Sequence, residues 1–233
     1  MPSVALLSPV MTGLFFFFDV LCFIPMQKRK EELLMSQAYR TSRVRYIAMT
    51  GILSAIATVL MMLSFSVPFM PSFIKLDFSE LPALIASFSM GPMSGVMVCL
   101  IKNLINLPMT TTGGVGELSN FLLGVFFVWP AGVLYHMRSN RRMALIASLV
   151  GAFTMALMSL PSNYYLTYPV YANLMPLDLI IGAYQAIVPG VDGLFQCLLF
   201  FNVPFTLLKG LLDTALTFLV YKRLSPLIKG KRN

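Results

Sequence analysis

Lys75 to Leu107 read KLDFSELPALIASFSMGPMSGVMVCLIKNLINL. Apolar residues fill Leu81 to Met90, Gly91-Pro92 makes a turn, and a second apolar run covers Met93 to Leu107. A helix that crosses a bilayer needs roughly 20 mostly apolar residues. Both runs are short of that, and together they predict a compact helical hairpin that need not cross a membrane unaided. Pro68 and Pro71 stop the helix upstream, because proline lacks the N–H of the helical ladder and its ring clashes with the preceding turn. Four charges, Lys75, Asp77, Glu80 and Lys102, lie in or beside this hairpin. Charges in such a setting are costly unless they face a cavity or a partner.

The rest of the chain has the same character. Of 233 residues, 58% are hydrophobic and only 11% charged, where a soluble domain carries about a quarter. Such a chain cannot cover a water-facing surface, and the bilayer is the solvent that fits. Apolar runs predict further spans at about Tyr46 to Val67, Glu117 to Met137, Met143 to Tyr165 or beyond, and Phe201 to Tyr221. Pro169, Pro176, Pro189-Gly190, Asp178 and Asp192 mark residues 166 to 200 as a long loop with a surface-lying helix. The expected fold is all-α: a polytopic membrane protein with a six-helix core.

All basic residues except Lys75, Lys102 and Lys209 fall in three clusters: Lys28 to Arg45, Arg138 to Arg142, and Lys222 to Arg232. Placing the first cluster in the cytoplasm puts the other two there as well in a six-helix topology, as the positive-inside rule asks. The loops near Asp77, Thr110 and Asp192 then face outward. The net charge of +8 is thereby a membrane-topology signal. No basic stripe interleaves with aromatics in a polar setting, which argues against nucleic-acid binding.

Residues 3 to 25 form an apolar run broken by Asp19 and ended by Pro25. It lacks the positive n-region and small-residue cleavage site of a signal peptide. Two readings stay open: an extra N-terminal apolar helix, or translation from a start placed too far upstream, with Met26 or Met35 the true start. Residues 27 to 45 read as a basic cytoplasmic linker or a short surface helix.

No catalytic constellation is present: no G-x-S-x-G, no H-E-x-x-H, and no Walker A loop. Cys22, Cys99 and Cys197 sit in apolar runs without C-x-x-C spacing and read as structural thiols rather than metal ligands. His136 reads as an interfacial residue. The charges Lys75, Asp77, Glu80, Lys102, Glu117, Lys209 and Asp213 concentrate toward the outward half, as a polar ligand pocket or a set of structural ion pairs would require. On the first span, Ala48, Gly51, Ala55 and Thr58 recur at steps of three, four and three, which places small residues on one helix face. Small faces let helices approach closely in lipid. Periodicity leaves internal packing and docking of a partner's helix equally open.

Two stretches are distinctive. One is the Lys75 to Leu107 hairpin; the other is TTTGGVGELSNFLLG, Thr110 to Gly124. The order L-D-F-S-E-L-P, G-P, K-N-L, then G-x-x-x-N-F-L-x-G resembles the riboflavin-specific S components of energy-coupling factor (ECF) transporters, from about Tyr46 to Arg223. The resemblance implies a membrane subunit that captures riboflavin from outside a bacterial plasma membrane. It would then associate with a transmembrane coupling protein and two ATPases, which use the ATP. Residues 46–223 would be the six-helix substrate-binding domain, residues 1–45 an N-terminal segment and linker, and 224–233 a basic cytoplasmic tail.

By local motif, Asn163 in Ser-Asn-Tyr-Tyr and Lys209 in Pro-Phe-Thr-Leu-Leu-Lys-Gly match ligand-binding positions of the family. Thr206 stands where the family has Asn. An amide both donates and accepts, which suits the uracil-like edge of a flavin. Leu76, Asp77 and Phe78 would form a lid, Tyr164, Tyr165 and Phe205 would pack on the ring, and Glu117 and Asn120 would cap a helix or hold hydroxyls. The resemblance also tips Ala48, Gly51, Ala55 and Thr58 toward partner docking, although the family's Ala-x-x-x-Ala is absent. No metal or cofactor is expected. The alternatives are an S component for FMN or another vitamin, a membrane enzyme, and an assembly subunit that binds no small molecule.

Overall fold

The computed structural model describes residues 43–228, apart from Phe69, Ser72, Phe73, Thr111, Leu174, Met175, Pro189 and Asp192, and gives only the helical backbone of 221–228. The N-terminal apolar segment with Cys22, the basic linker before Arg43, and the tail from residue 229 lie outside the described residues. The chain divides into two compact units, Met1–Ala48 and Met49–Asn233. Residues 43–48 are helical and exposed. The helix bundle belongs to the second unit.

Helix α1 spans Arg43–Met62. A two-residue antiparallel ladder follows, β1 (Phe65–Ser66) with β2 (Lys75–Leu76), Phe65 opposite Leu76 and Ser66 opposite Lys75. Then come α2 (Glu80–Met90), α3 (Pro92–Asn106) with a 3₁₀ turn Leu107–Met109, α4 (Val115–Met137) and α5 (Arg141–Ser162). A π-turn, Asn163–Thr167, carries α5 into α6 (Tyr168–Tyr171). After α7 (Leu177–Gln185), α8 (Leu194–Cys197) runs through a second π-turn, Leu198–Asn202, into α9 (Val203–Ile228). Among the described residues, five helical stretches are long and apolar enough to cross a membrane: Arg43–Met62, Pro92–Met109, Val115–Met137, Arg141–Tyr171 and Leu194–Val220. The sixth core helix is the short α2.

The shortness of α2 has a packing cause. It lies against α3, α4 and α9, and every residue from Pro82 to Phe88 is buried. A helix enclosed by protein needs no lipid-spanning length. Close approach depends on missing side chains: a Cβ on Gly95 would lie 2.8 Å from the Ala83 carbonyl, and one on Gly151 2.5 Å from the Phe127 carbonyl. Hydroxyls tie the helices further, Ser87 Oγ donating to the Val128 carbonyl at 2.8 Å and Ser94 Oγ to that of Ala86 at 2.9 Å. Such small-residue and hydrogen-bonded contacts are what hold helices together in lipid. At one end of the bundle, the Arg141 guanidinium lies 4.6 Å from the centroid of the Phe218 ring.

Two expected boundaries are corrected: the first span, expected to reach Val67, ends at Met62 before the Phe65–Ser66 strand, and the last begins at Leu194 rather than Phe201. The helix expected to reach Tyr165 or beyond continues to Tyr171. The surface helix expected between it and the last span is α7. Pro169 lies just past Tyr165 and Pro204 inside the span expected from Phe201, and the helices carry both prolines in the same way. Pro169 and Pro204 each lie two residues beyond a π-turn. A proline offers no N–H to the carbonyl four residues earlier and clashes with it. That carbonyl belongs to Tyr165 or Phe200, inside the π-turn in each case. Widening the helix by one residue relieves the conflict and lets it continue.

Candidate functional site

One end of the bundle holds a cavity of about 230 Å³, walled by α1, the ladder, α2, the 3₁₀ turn, α4, the α5–α6 helix and the start of α9. Met61, Leu123, Met155 and Phe205 supply apolar wall, and Asp77, Glu80, Glu117, Asn120, Asn163, Thr206 and Lys209 are among its polar groups. The two π-turns aim polar residues here: Asn163 and Thr167 from the first, Asn202 from the second. Along the last span, Asn202, Thr206, Lys209 and Asp213 recur at steps of four, three and four, making one polar stripe. The first three line the cavity. Asp213 is fully buried below them, with no hydrogen bond to either carboxylate oxygen among the described residues.

An ion-pair network forms the base. Lys102 and Glu80 are 0% and 1% exposed and meet at 2.8 Å. The Lys102 ammonium also donates to Ser79 Oγ at 2.5 Å and to Asn120 Oδ1 at 3.4 Å. Lys209 donates to Asp77 Oδ2 at 3.0 Å and lies 3.8 Å from Glu80 Oε1. Asp77 Oδ1 accepts the Ser79 amide at 2.9 Å and the Ser79 hydroxyl. Burial alone would raise the Asp77 pKa. The Lys209 and Lys102 charges and the Ser79 hydroxyl outweigh it and hold the carboxyl well below the usual carboxylate range.

Glu117 organises the Thr-Gly loop. Its carboxylate accepts from Asn106 Nδ2 at 3.0 Å, Thr110 Oγ1 at 2.7 Å and Thr112 Oγ1 at 3.4 Å. Gly113 and Gly114 turn the chain with φ of 63° and 89°, a region that favours glycine. On the opposite wall, the hydroxyls of Tyr168 and Tyr184 are 2.5 Å apart, and Tyr184 donates to Asn202 Oδ1 at 2.8 Å. Burial, and the neighbouring Tyr168, push the Tyr184 phenol far above its ordinary pKa, so it is a neutral donor.

Of the residues singled out from sequence, Asp77, Glu117, Asn120, Asn163, Lys209, Phe205 and Thr206 line the cavity. Leu76, Phe78, Tyr164 and Tyr165 do not. Alternation in extended chain explains the first two: Lys75 and Asp77 share a face that lines the cavity, while Leu76 is buried away from it and Phe78 contacts Phe65, ring centroids 6.4 Å apart. Tyr164 and Tyr165 follow Asn163 by one and two residues and so leave its face. They are 37% and 77% exposed, and Tyr164 packs edge-on against Phe195. Sequence reasoning missed Thr167 and Tyr168, which lie in the stretch read as loop, and Asn202, which lies at the start of the expected last span.

A family model described as "ECF transporter, substrate-specific component" matches residues 45–221. The chain belongs to this family. The S component is 33% identical over 183 residues to "Riboflavin transporter RibU" of Staphylococcus aureus (strain TCH60), covering 77% of this chain and 89% of that protein. It is 29% identical over 196 residues to "Riboflavin transporter FmnP" of Bacillus subtilis (strain 168), covering 82% and 97%. A solved structure, "Structure and mechanism of the S component of a bacterial ECF transporter", superposes with a TM-score of 0.64 at 29% identity, covering 80% of this chain and 99% of that one. This S component is thus a multi-pass, substrate-binding membrane subunit. On α1, Ala48, Gly51 and Ala55 are exposed, whereas Thr58 is buried and donates to the Ser54 carbonyl at 2.9 Å. Thr58 therefore falls outside the exposed small-residue face. Among the described residues no group of three His, Cys, Asp or Glu side chains is placed to hold a metal ion.

Proposed function

We propose that this S component binds riboflavin in the cavity at this end of the bundle, taking it up from outside a bacterial plasma membrane. It then delivers the vitamin through a transmembrane coupling protein and two ATPase subunits. One observation carries the reading: the cavity combines apolar wall with amides and hydroxyls, as an uncharged, flat ring system with a polar edge demands. Its relatives' names point the same way. Asn163, whose Oδ1 accepts from Ser119 Oγ at 3.0 Å, keeps its amide N–H groups for ligand carbonyls. Lys209 donates to a carbonyl or a ribityl hydroxyl while held by Asp77. The subunit has no catalytic role, and ATP is consumed by its partners. Residues 46–223 are the binding domain, with both its ends cytoplasmic by the positive-inside rule, and the exposed Ala48, Gly51 and Ala55 face meets the coupling protein.

Charge balance argues against a phosphorylated flavin. Among the charged residues lining the cavity, Lys75 and Lys209 stand against Asp77, Glu80 and Glu117, and Lys102 is committed to Glu80. A phosphate dianion would find no surplus cation. The test is titration of the purified protein in detergent, following quenching of flavin fluorescence. Each substitution removes a hydrogen-bonding group worth about 1–3 kcal/mol, so Asn163→Ala and Lys209→Ala should weaken riboflavin binding about 5- to 150-fold. The phosphate ester should compete poorly. Failure of folded wild-type protein to bind riboflavin would overturn the assignment.

A further inference from the structure

The polar stripe of α9 does not stop at the cavity. Asn202, Thr206 and Lys209 line it, and Asp213 and Thr217 continue the same face away from it at steps of four. Both are buried, and neither the two carboxylate oxygens nor the hydroxyl has a hydrogen bond among the described residues. Asp213 lies inside the span Leu194–Val220, where a bare charge is costly.

Charge counting decides its state. Asp213 is the third acid of a buried set that holds two ammonium groups. Lys102 meets Glu80 at 2.8 Å and Lys209 meets Asp77 at 3.0 Å, so each ammonium already has a carboxylate. The helices packed most closely on α9 are α5 and α2. Their charged residues add no cation for Asp213: Glu80 of α2 is taken by Lys102, Arg141 of α5 lies over the Phe218 ring at 4.6 Å, and Arg142 is exposed. An ionised Asp213 would leave the set one negative charge in excess inside the bundle. A proton on Asp213 balances it, because a neutral carboxylic acid is far less costly to bury than an unpaired ion.

Lys209 precedes Asp213 by four residues, which makes their side chains neighbours on one helix face. Its ammonium nevertheless meets Asp77, on the loop between β2 and α2. We propose that Asp213 is a buried proton-binding site and the reserve counter-ion of Lys209. In the resting bundle Asp213 carries the proton and Asp77 holds the ammonium. When Asp77 is withdrawn, Lys209 turns to Asp213, the Asp213 O–H bond breaks, and the proton passes to solvent. The reverse exchange takes a proton up again. The cation that lines the cavity thus stays paired whether or not the loop residue is in place. The inference concerns the ion-pair network and does not depend on which cargo the cavity takes.

The test is infrared spectroscopy of the full chain at neutral pH in an ester-free detergent, with folding checked by thermal unfolding. The C=O stretch of a neutral carboxylic acid is well separated from the carboxylate bands and shifts when the acid hydrogen is exchanged for deuterium. Wild type should show such a band, and Asp213→Asn should lose it. Asp77→Asn should lose it as well, since with one acid fewer Lys209 pairs with Asp213 and the proton leaves. A merely structural Asp213 gives no reason for a change at residue 77 to alter its protonation. Melting midpoints supply a second arm. Each single variant leaves Lys209 one carboxylate to pair with, whereas the double variant strands it and should melt at least about 6 °C lower than the two single losses predict. No deuterium-sensitive band in wild type, a band that survives in Asp213→Asn or in folded Asp77→Asn, or losses that merely add in the double variant would each overturn the proposal. All of these outcomes leave the riboflavin reading intact.

Discussion

Replacing Lys102 with Met tests whether the ion pairs beneath the cavity hold the fold together. The Lys102 ammonium is fully buried and bonds Glu80 at 2.8 Å and Ser79 at 2.5 Å. Breaking a buried pair by removing one partner costs about 3–5 kcal/mol, chiefly because the surviving charge is stranded. Glu80 would keep Lys209 at 3.8 Å and the Cys99 thiol at 3.6 Å, which puts the loss near the lower limit, about 3 kcal/mol. For a chain of this size each kcal/mol moves the midpoint by roughly 2–4 °C, so Lys102→Met should melt about 6–12 °C lower. A thiol-reactive fluorogenic dye suits the assay, since Cys99 and Cys197 are both buried and react only on unfolding. The double variant Lys102→Met with Glu80→Gln removes both charges and should recover most of the loss, because a neutralised site has nothing left to strand. A drop of under about 2 °C in the single variant, or a double variant that melts as low as the two losses summed, would refute the reasoning.

Three more variants and profiles probe the same geometry. Glu117→Gln leaves one oxygen for three donors, so the loop of Thr110 to Gly114 should exchange its amide hydrogens faster and riboflavin should dissociate several-fold sooner; unchanged exchange would remove Glu117 as the loop's anchor. Gly151→Ala drives a methyl toward the Phe127 carbonyl and should cost about 1–3 kcal/mol, read as a lower melting midpoint with the ligand contacts untouched. The Asp77 carboxyl pKa is depressed in the fold, so its contribution is fully present above the ordinary carboxylate pKa of about 4 and is lost as pH falls below it. The wild-type melting midpoint should therefore fall more steeply below pH ~4 than that of Asp77→Asn, and parallel profiles would contradict the ion-pair assignment.

Hydropathy and basic clusters made α1, α3 and α4 legible from sequence, and α2 announced itself by its shortness, whereas α3, read as equally short, is with its 3₁₀ turn long enough to cross a membrane. What escaped was the reach of the fifth and last helices. Pro169, like Pro176 and Pro189-Gly190 after it, carries the local signal of a helix break, and at Pro169 only a tertiary choice of π-turn overrides it. The same error hid Tyr168 and Tyr184, since residues placed in a loop have no face to assign, whereas Asn202 lay within the expected last span and was passed over. Asn163 and Lys209 were legible because short motifs flank them. Tyr164 and Tyr165 were expected to pack on the flavin ring, although the residue after Asn163 in a helix points about 100° away from it. Glu80 and Lys102 stood out as charges, but pairing between α2 and α3 depends on how the hairpin closes, which spacing does not state.

The two π-turns have a consequence for how this scaffold varies. Each absorbs one extra residue at a single place, so the helix on either side keeps its angular phase, much as an expansion joint lets a rail lengthen without moving the track beyond it. The α5 and α9 segments that pack the bundle core are therefore insulated from changes of register at the cavity. Asn163, Thr167 and Asn202 sit inside those joints. A chain built this way can retune which polar atoms meet its cargo while the surfaces that hold the bundle together stay where they are.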